Sequence, residues 1–302
     1  MLKNAMNDSD TYKKIYETYH KNIKLGVYEE TNDRERIADL LMYKSSENIE
    51  KEITLDDYIT NAHDDQESIY YITGDDAKVI VDSPFLDRFK KQNINVLIMT
   101  DPVDEYMIQK LTTYKSKKLV CITKGEVFVE KDEKDTLKNL QDTNKGICDE
   151  IKKIYSDKFM DVKITNKISD KFPCVITAPE HGFTANMEKI VKSQTLGNDN
   201  ANYMINKHIL EINIENDIIL NIKQKLENSD ETIKQKGKDL LDIVVNCSLI
   251  YSGYSVFKPT EFSSKLFNIL KVSLDIDDDT PEIIPDEITI DTTVYSTLNE
   301  ND

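Results

Sequence analysis

The spacing of apolar and polar side chains divides the chain into regions of different character. In residues 1–64 apolar side chains recur at helical spacing. They are Tyr12, Ile15, Tyr16, Tyr19, Ile37, Leu40 and Leu41. Thr54 and Asp57 have the spacing of a capping pair for a further short helix. We therefore expect residues 1–64 to form a helical segment.

The spacing of apolar side chains along the chain changes in residues 65–130. Three β-rich runs, SIYYIT, INVLIM and KLVCIT, alternate with stretches of helical character. Asp101 and Pro102 are a helix cap followed by proline at the first helical position. Because strands that alternate with helices usually lie parallel, we expect a small α/β layer here.

The remaining chain indicates a second domain. Residues 131–145 are charged and poor in apolar side chains, which is typical of a linker or an exposed helix end. Residues 146–275 then contain a helical run, the strand-like runs VKITNKI and PCVITAP, and further amphipathic helices. Residues 276–302 are acidic and without periodicity, so we expect a disordered tail. The fold class is therefore mixed, α+β with α/β.

A central stretch, residues 182–196, reads GFTANMEKIVKSQTL and predicts an amphipathic helix. Thr184 can cap this helix, Glu188 favours its first turn, and Gly197 can end it. Large apolar side chains in and near this helix are candidates for a binding surface. They are Phe183, Met187, Ile190, Val191, Tyr203 and Met204. From the pattern alone, an ordinary helix packed on a core remains the alternative.

Two strongly apolar helices are predicted near the C-terminus, in residues 239–251 and 260–274. The first is apolar nearly all round, so it should be covered on most sides. Candidate contact residues on the two helices are Leu241, Val244, Val245, Leu249, Phe262, Leu266, Ile269 and Leu270. The pattern leaves two interpretations open, an internal helical hairpin or packing against a second copy of the chain.

Several of these motifs resemble one family. The stretch GFTANMEKIVKSQ is similar to the start of the helical region in the C-terminal domain of heat-shock protein 90 chaperones. It departs from the usual family pattern at Phe183, Lys189, Val191 and Ser193. Four other runs occur in the family's order: KNIKLGVYEETNDR, IYYITG, DPVDEY and SGYS. The resemblance covers about residues 12–276.

The resemblance implies the end of the middle domain and the C-terminal domain of an ATP-dependent chaperone. It implies client binding by residues 182–204, and a homodimer held by a four-helix bundle from the two C-terminal helices. ATP hydrolysis would belong to an N-terminal domain and to an arginine of the earlier middle domain, so we expect no cofactor and no enzyme activity in this chain. The end LNEND differs from the family's Met-Glu-Glu-Val-Asp tail, which puts recruitment of tetratricopeptide-repeat cochaperones in doubt.

Composition narrows the class of protein further. The chain has 302 residues, 39% of them hydrophobic, and a net charge of −17. It has no apolar run of the roughly 20 residues that span a bilayer and no apolar signal-peptide core at its start, so we expect a cytoplasmic protein and no membrane partner. Because no basic footprint is visible, nucleic acid is not an expected partner.

Few residue patterns in the sequence suggest a catalytic, phosphate-binding or metal site. The first turn of the α/β layer reads TGDDAK, and neither GxGxxG nor GxxxxGK[ST] occurs. The four His residues are scattered, and the four Cys residues have no CxxC spacing, so we expect no metal site and reduced thiols. Asp104 and Glu105 suit the first turn of a helix better than an acid/base pair. The alternative function is an enzyme or small-molecule-binding protein that uses residues 65–130.

Overall fold

The computed structural model describes residues 8–125, 127, 133–166, 168–194 and 208–276. It confirms a mixed fold of helices and sheets. The chain divides into two compact units, Met1–Pro259 and Thr260–Asp302. Predictions were also made for Tyr203, Met204, Gly197 and the acidic segment 277–302, all of which lie outside the described residues.

The first unit begins with a long helix, α1 (Ser9–Glu29), followed by the short helix α2 (Arg34–Ala38). Asp8 caps α1 by accepting a hydrogen bond from the backbone of Thr11. The α1 side chains that face the protein interior are Tyr12, Tyr16, Ile23, Val27 and Lys24. This buried stripe holds α1 against one face of a sheet.

Six strands form this sheet, in the order β2-β1-β4-β3-β6-β5. They are β1 (Met42–Ser45), β2 (Ile53–Thr54), β3 (Ser68–Thr73), β4 (Leu97–Met99), β5 (Thr113–Tyr114) and β6 (Lys117–Cys121). Strand β3 pairs in parallel with both β4 and β6, which confirms the predicted parallel layer. The other three strands pair antiparallel at the two edges.

Alternate residues of β3 point to opposite faces of the sheet and join different cores. Ile69 and Tyr71 join the core on the face of the sheet that α1 covers, whereas Tyr70 and Ile72 join the core on the opposite face. The layer's helices are α3 (Leu55–Asn61), α4 (Ala77–Ile80), α5 (Pro84–Lys91) and α6 (Pro102–Met107). Thr54 and Asp57 form the predicted capping box at the start of α3.

The prediction that residues 1–64 are helical throughout is wrong for β1 and β2. Leu40 and Leu41 follow the end of α2 and are buried, but they lead into β1 rather than continue a helix. Strand β1 alternates exposed and buried positions, and its pairing with β4 places residues 42–45 inside the sheet of the α/β layer. Tertiary pairing therefore overrides the local helical spacing at this point.

The later part of the first unit opens with α7 (Glu133–Thr143) and α8 (Lys145–Ile154). The prediction of a linker at residues 131–145 needs correction, because most of this stretch is helix. Leu137 is buried, and Leu140 packs against the same core. These two apolar residues, three positions apart, lie on one face of the charged helix and pack it against this core.

A three-stranded sheet follows, with the order β7-β9-β8. Its strands are β7 (Phe159–Ile164), β8 (Cys174–Thr177) and β9 (His208–Ile212), and its helices are α9 (Ala185–Ser193), α10 (Asp217–Leu226) and α11 (Glu231–Tyr251). Strand β9, which the sequence analysis did not anticipate, lies between the two predicted strands. The sheet, α8, α10 and α11 share one core.

The two sheets of the first unit are joined at residues 123–125. Lys124 makes an isolated parallel bridge with Ala178, just after β8. The Ala178 amide donates to the Thr123 carbonyl at 3.1 Å, and the Gly125 amide donates to the Ala178 carbonyl at 2.8 Å. Gly125 has φ +55°, a conformation that glycine adopts without steric cost.

The second unit contains α12 (Pro259–Ser273) from Thr260 onward. None of its residues is buried. Large apolar side chains are exposed on it and just after it, namely Leu266, Phe267, Leu270, Val272, Leu274 and Ile276.

Candidate functional site

Helix α9 forms as the sequence predicts. Thr184 has extended backbone angles, and its hydroxyl accepts a hydrogen bond from the Met187 amide at 3.0 Å. Glu188 lies in the first turn, where the helix dipole favours a negative charge. The helix ends at Ser193, a few residues before the predicted stop at Gly197.

The start of α9 is held from one side by helix α6 of the α/β layer. The Thr184 hydroxyl donates to Glu105 Oε1 at 2.5 Å, and both side chains are almost fully buried. Further contacts lie nearer the surface. Lys189 pairs with Asp75 at 2.7 Å. Tyr106 donates to Gln194 at 2.8 Å.

The other side of α9 is held by strand β9 and the segment after α11. His208 Nε2 lies 2.7 Å from Glu188 Oε2, and the ring of His208 packs on Tyr254 with centroids 4.4 Å apart. Since a carboxylate can only accept, Nε2 of His208 carries the proton in this contact. Lys192 also bonds to Glu188 from one turn later.

The electrostatics of Glu188 follow from these contacts. Burial would raise the pKa of its carboxyl, but the hydrogen bonds and charges of His208 and Lys192 outweigh burial and lower the pKa. Glu188 is therefore a stabilised buried carboxylate and is not suited to be a proton donor near neutral pH.

Gly253 allows α11 to end close to α9. Its φ is +87°, and a Cβ at this position would lie 3.2 Å from Cβ of Ala185. Both the backbone angle and the close approach favour glycine. The SGYS motif, residues 252–255, thus meets Ala185, the first residue of α9 and the fourth of the GFTANMEKIVKSQ stretch.

A buried ionic cluster anchors α1 to the opposite side of α6. Lys24 Nζ lies 2.6 Å from Asp101 Oδ2 and 2.9 Å from Asp104 Oδ1. Asp104 also accepts from the Asp101 amide at 3.1 Å and from the Tyr43 hydroxyl at 3.3 Å. His20 Nε2 lies 3.3 Å from Asp101. The motif KNIKLGVYEETNDR is therefore joined to the motif DPVDEY.

Four motifs that are distant in sequence consequently meet around α6 and α9. These motifs are recognisable in the sequence, but no role was predicted for His208 or Lys24, and Glu105 was predicted only to lie in the first turn of a helix. For Lys24 a signal was present, because Tyr12, Tyr16, His20 and Lys24 follow each other every four residues along one helix face. No comparable local signal marks His208, which is a lone histidine before an apolar run.

The predicted client-binding residues are only partly available at the surface. Phe183, Ile190 and Val191 are half-buried. Met187 is 6% exposed, so the expectation that it offers a contact surface is wrong. Met187 points inward because α6 and the three-stranded sheet enclose the first turn of α9.

The predicted dimerisation residues on α11 divide in a similar way. Leu241, Val245 and Leu249 are fully buried in the core of their own unit, so their assignment to an intermolecular contact is wrong. Val244 is half-buried and packs against that core. On α12, Phe262 and Ile269 are half-buried, whereas Leu266 and Leu270 are 37% and 47% exposed.

The structure gives no support to a ligand site in the α/β layer. Ligands of parallel sheets bind at the carboxyl ends of the strands. Here Ala178 pairs with Lys124 just beyond the carboxyl end of β6, and Thr184 bonds to Glu105 on α6, the helix that follows β4. A cavity of about 810 Å³ lies instead at the amino end of β4, and its polar groups, such as Asn95 and Ser46, bond each other.

Thiol and metal chemistry is also unsupported. Cys174 is fully buried beside Ser248, and burial raises the pKa of its thiol to about 12. Such a thiol is inert near neutral pH. Within the described residues no three His, Cys, Asp or Glu side chains are grouped as metal ligands. None of the described helices is both long and apolar enough to cross a bilayer.

Comparison with known proteins identifies the family. The profile of the family described as Hsp90 protein matches residues 1–300. Heat shock protein 83 of Leishmania donovani is 32% identical over 304 residues, which cover 97% of this chain and 66% of that protein. An endoplasmin homologue of Hordeum vulgare is 35% identical over 282 residues, covering 92% of this chain and 34% of the relative.

A third relative corrects the predicted location. Heat shock protein 90-5, chloroplastic, of Arabidopsis thaliana is 34% identical over 269 residues, covering 88% of this chain and 34% of the relative. Because a chloroplastic protein is among relatives of this similarity, the prediction of cytoplasmic residence is wrong. The chain spans from about a third to about two thirds of the length of these relatives. With the family profile matched over nearly all its residues, the chain belongs to the Hsp90 family of chaperones.

Proposed function

We propose that this chain is the client-binding and dimerising part of an ATP-dependent molecular chaperone. The single observation that carries the dimer is α12, a helix with large apolar side chains and no buried residue. In the described part of the chain nothing buries these side chains, and such a surface is typical of a protein contact. A second copy of the chain is the partner that family membership favours.

Helix α11 supplies a second apolar surface for this contact. Its inward face is used by the core, but Ile243 and Cys247 are half-buried and Ile250 is 56% exposed. These three positions follow helical spacing and form one stripe. We propose that this stripe, rather than Leu241, Val245 and Leu249, contributes with α12 to a four-helix contact between two subunits.

The energetic case depends on both helices. Full burial of a large apolar side chain stabilises by about 1.5–3 kcal/mol, and a half-exposed one gains about half of that. Four such side chains on each of two subunits give roughly 8 kcal/mol. Association costs about 4–15 kcal/mol in rigid-body freedom. Helix α12 alone is therefore marginal, and the α11 stripe is needed for a stable dimer.

We place the client surface around Phe183, Ile190 and Val191. These side chains are large, apolar and half-buried, and they surround a short helix whose remaining face is charged. Such partly exposed apolar groups can contact non-native proteins without requiring a specific sequence. Tyr203 and Met204 remain predicted members of this surface on sequence grounds.

ATP binding and hydrolysis are not assigned to the residues of this chain. The sequence has neither GxGxxG nor GxxxxGK[ST], and Ala178 pairs with Lys124 just beyond the carboxyl end of β6. Nucleotide dependence would therefore come from other parts of the full-length family architecture.

Client binding is tested by suppression of aggregation of a chemically denatured client. Phe183→Ser should weaken suppression several-fold, because a half-buried aromatic ring is replaced by a small polar group. His181→Ser is a matched control, since His181 is an exposed neighbour. Unchanged suppression by Phe183→Ser, with an unchanged circular dichroism spectrum, would place the surface elsewhere.

Dimerisation is tested by the mass in solution of Leu266→Asp and Leu270→Asp. A two-fold axis places each new carboxylate near its copy, so each change acts twice. Both variants should be monomeric. Asn268→Asp adds the same charge at an exposed polar position of the helix and should leave the dimer intact. Dimers of unchanged affinity in both leucine variants would exclude α12 from the interface.

A further inference from the structure

We propose that three hydroxyl groups at the C-terminal end of α11 are positioning groups, which hold the α11 stripe outward for contact with a second subunit. They belong to Ser248, Tyr251 and Ser252, which together are the hydroxyl cluster. This inference rests on the proposed dimer, because the α11 stripe is part of the proposed contact between subunits.

The hydroxyl cluster lies against the outer edge of β8. This strand is at one end of the three-stranded sheet, and just before it the Asn213 amide donates to the Pro173 carbonyl at 2.8 Å. In an antiparallel pair only alternate residues bond to the neighbouring strand. The backbone groups of Cys174 and Ile176 therefore face away from β9, and they need partners from another element.

Hydroxyl groups take the place of a fourth strand at this edge. The Tyr251 hydroxyl donates to the Cys174 carbonyl, and the Ser252 hydroxyl accepts from the Ile176 amide at 3.0 Å. Ser248 Oγ lies 2.6 Å from the Tyr251 hydroxyl and 2.7 Å from Cys174 Sγ. Both serines are buried. Because a buried backbone group without a partner is costly, this edge favours α11 with the hydroxyl cluster turned toward it.

The two serines of the cluster and the α11 stripe lie on opposite faces of the helix. Ser248 and Ser252 share the inward face with Leu241 and Val245, which are fully buried. Successive residues of a helix are turned by about 100°, which places the centre of the stripe on the side opposite to this face. Hydrogen bonds that hold the serines against β8 therefore turn the stripe outward, where Ile250 is 56% exposed.

Apolar packing alone discriminates weakly between these faces, because both are apolar. Side chains that are hydrophobic and of about the right size give a fold but not a unique arrangement. A buried polar network whose members all have partners specifies one arrangement. Leu241 and Val245 hold the middle of α11 in the core, whereas the hydroxyl cluster holds its last turns. Loss of the cluster should loosen these turns without unfolding the chain.

Two substitutions remove the hydroxyl groups singly. Ser252→Ala removes the acceptor of the Ile176 amide, and Tyr251→Phe removes the donor to the Cys174 carbonyl. Each should reduce the fraction of subunits whose last turns of α11 are held in place. A dimer needs this arrangement in both subunits, so a roughly threefold reduction raises the dissociation constant about tenfold.

The test is light scattering over a dilution series of the intact 302-residue chain, which gives the dissociation constant of the dimer. Hydrogen exchange of the Ile176 amide by NMR reports the contact itself. We expect a dissociation constant about tenfold higher in both variants, and exchange about tenfold faster in Ser252→Ala. Ser255→Ala and Tyr19→Phe make the same changes at exposed positions and should match the parent.

Urea unfolding of the same variants separates positioning from stability. Groups that only stabilised the fold would lower the urea midpoint and leave the dissociation constant of the folded chains unchanged. Unchanged dissociation constants in both variants of a dimeric parent would therefore overturn the positioning role, even with a lower midpoint. Unchanged exchange at Ile176 in Ser252→Ala would overturn the edge contact. A parent that is monomeric throughout the series would overturn the proposed dimer and the positioning role together, whereas the exchange rate decides the edge contact in either case.

Discussion

Replacement of Lys24 by Met removes the one ammonium group at the centre of the cluster between α1 and α6. The Lys24 side chain is 5% exposed, and that of Asp104 is fully buried. Methionine fills a similar volume without charge, so the packing of α1 is largely preserved. Asp104 would keep only neutral donors, the Asp101 amide and the Tyr43 hydroxyl. The free energy of unfolding should therefore fall.

The size of this loss has an upper limit that depends on pH. Breaking a buried ion pair typically costs about 3–5 kcal/mol. Asp104 can avoid the full cost by taking up a proton, and burial already raises the pKa of its carboxyl although Lys24 acts to lower it. Protonation of a carboxyl with an ordinary pKa near 3.9 costs about 4 kcal/mol at pH 7 and about 1.5 kcal/mol at pH 5. The loss should therefore approach 4 kcal/mol at pH 7 and be less than half as large at pH 5.

The assay is urea unfolding at both pH values, followed by circular dichroism. The sign follows from linkage. When the pKa of a carboxyl is raised in the folded state, the free energy of unfolding falls as pH rises from the unfolded pKa through the folded pKa. Lys21→Met is the matched control, since Lys21 is exposed on the same helix, and it should change the midpoint little at either pH. An equal loss for Lys24→Met at pH 7 and pH 5, or no loss at all, would refute this account of the cluster.

Two further substitutions test the surroundings of α9. Glu188 has a lowered pKa in the fold, so its contribution is present above the ordinary carboxyl range and is lost as pH falls through the folded pKa. Glu188→Gln should therefore lower the melting temperature at pH 7, and the difference should shrink as pH falls through the folded pKa of Glu188. A difference that does not change with pH would contradict the stabilised carboxylate. Gly253→Ala should destabilise by about 1–3 kcal/mol, because its φ is +87° and Ala185 lies close. Gly146→Ala, at a helical glycine with open space around it, should not destabilise in the same melting experiment.

Much of the fold was predictable because local patterns and tertiary contacts agree. The strands of the α/β layer, the capping box at Thr54, and helix α9 with its cap at Thr184 all follow from residue types at fixed spacing. The pattern was misleading where a contact distant in sequence decides the structure. Residues 42–45 form a strand because β4 pairs with them, and residues 133–143 form a docked helix because a core accepts Leu137.

The candidate site shows the same division. The sequence identified the motifs that meet around α9, but Glu105 and Thr184 are 79 positions apart and no local pattern links them. Residues 239–251 of α11 are apolar nearly all round, which predicts a helix covered on most sides. Spacing alone does not say whether a side chain is covered by its own subunit or by another. That is why Leu241, Val245 and Leu249, which face the core of their own subunit, were predicted to contact a second one.

The proposed dimer is tested most directly by the mass of the intact chain in solution. One chain has a mass of 34.9 kDa. Light scattering at about ten micromolar, which exceeds a dissociation constant of about one micromolar, should give twice that mass. A mass of 34.9 kDa at that concentration would contradict the dimer and with it the role that we propose for α12 and the α11 stripe.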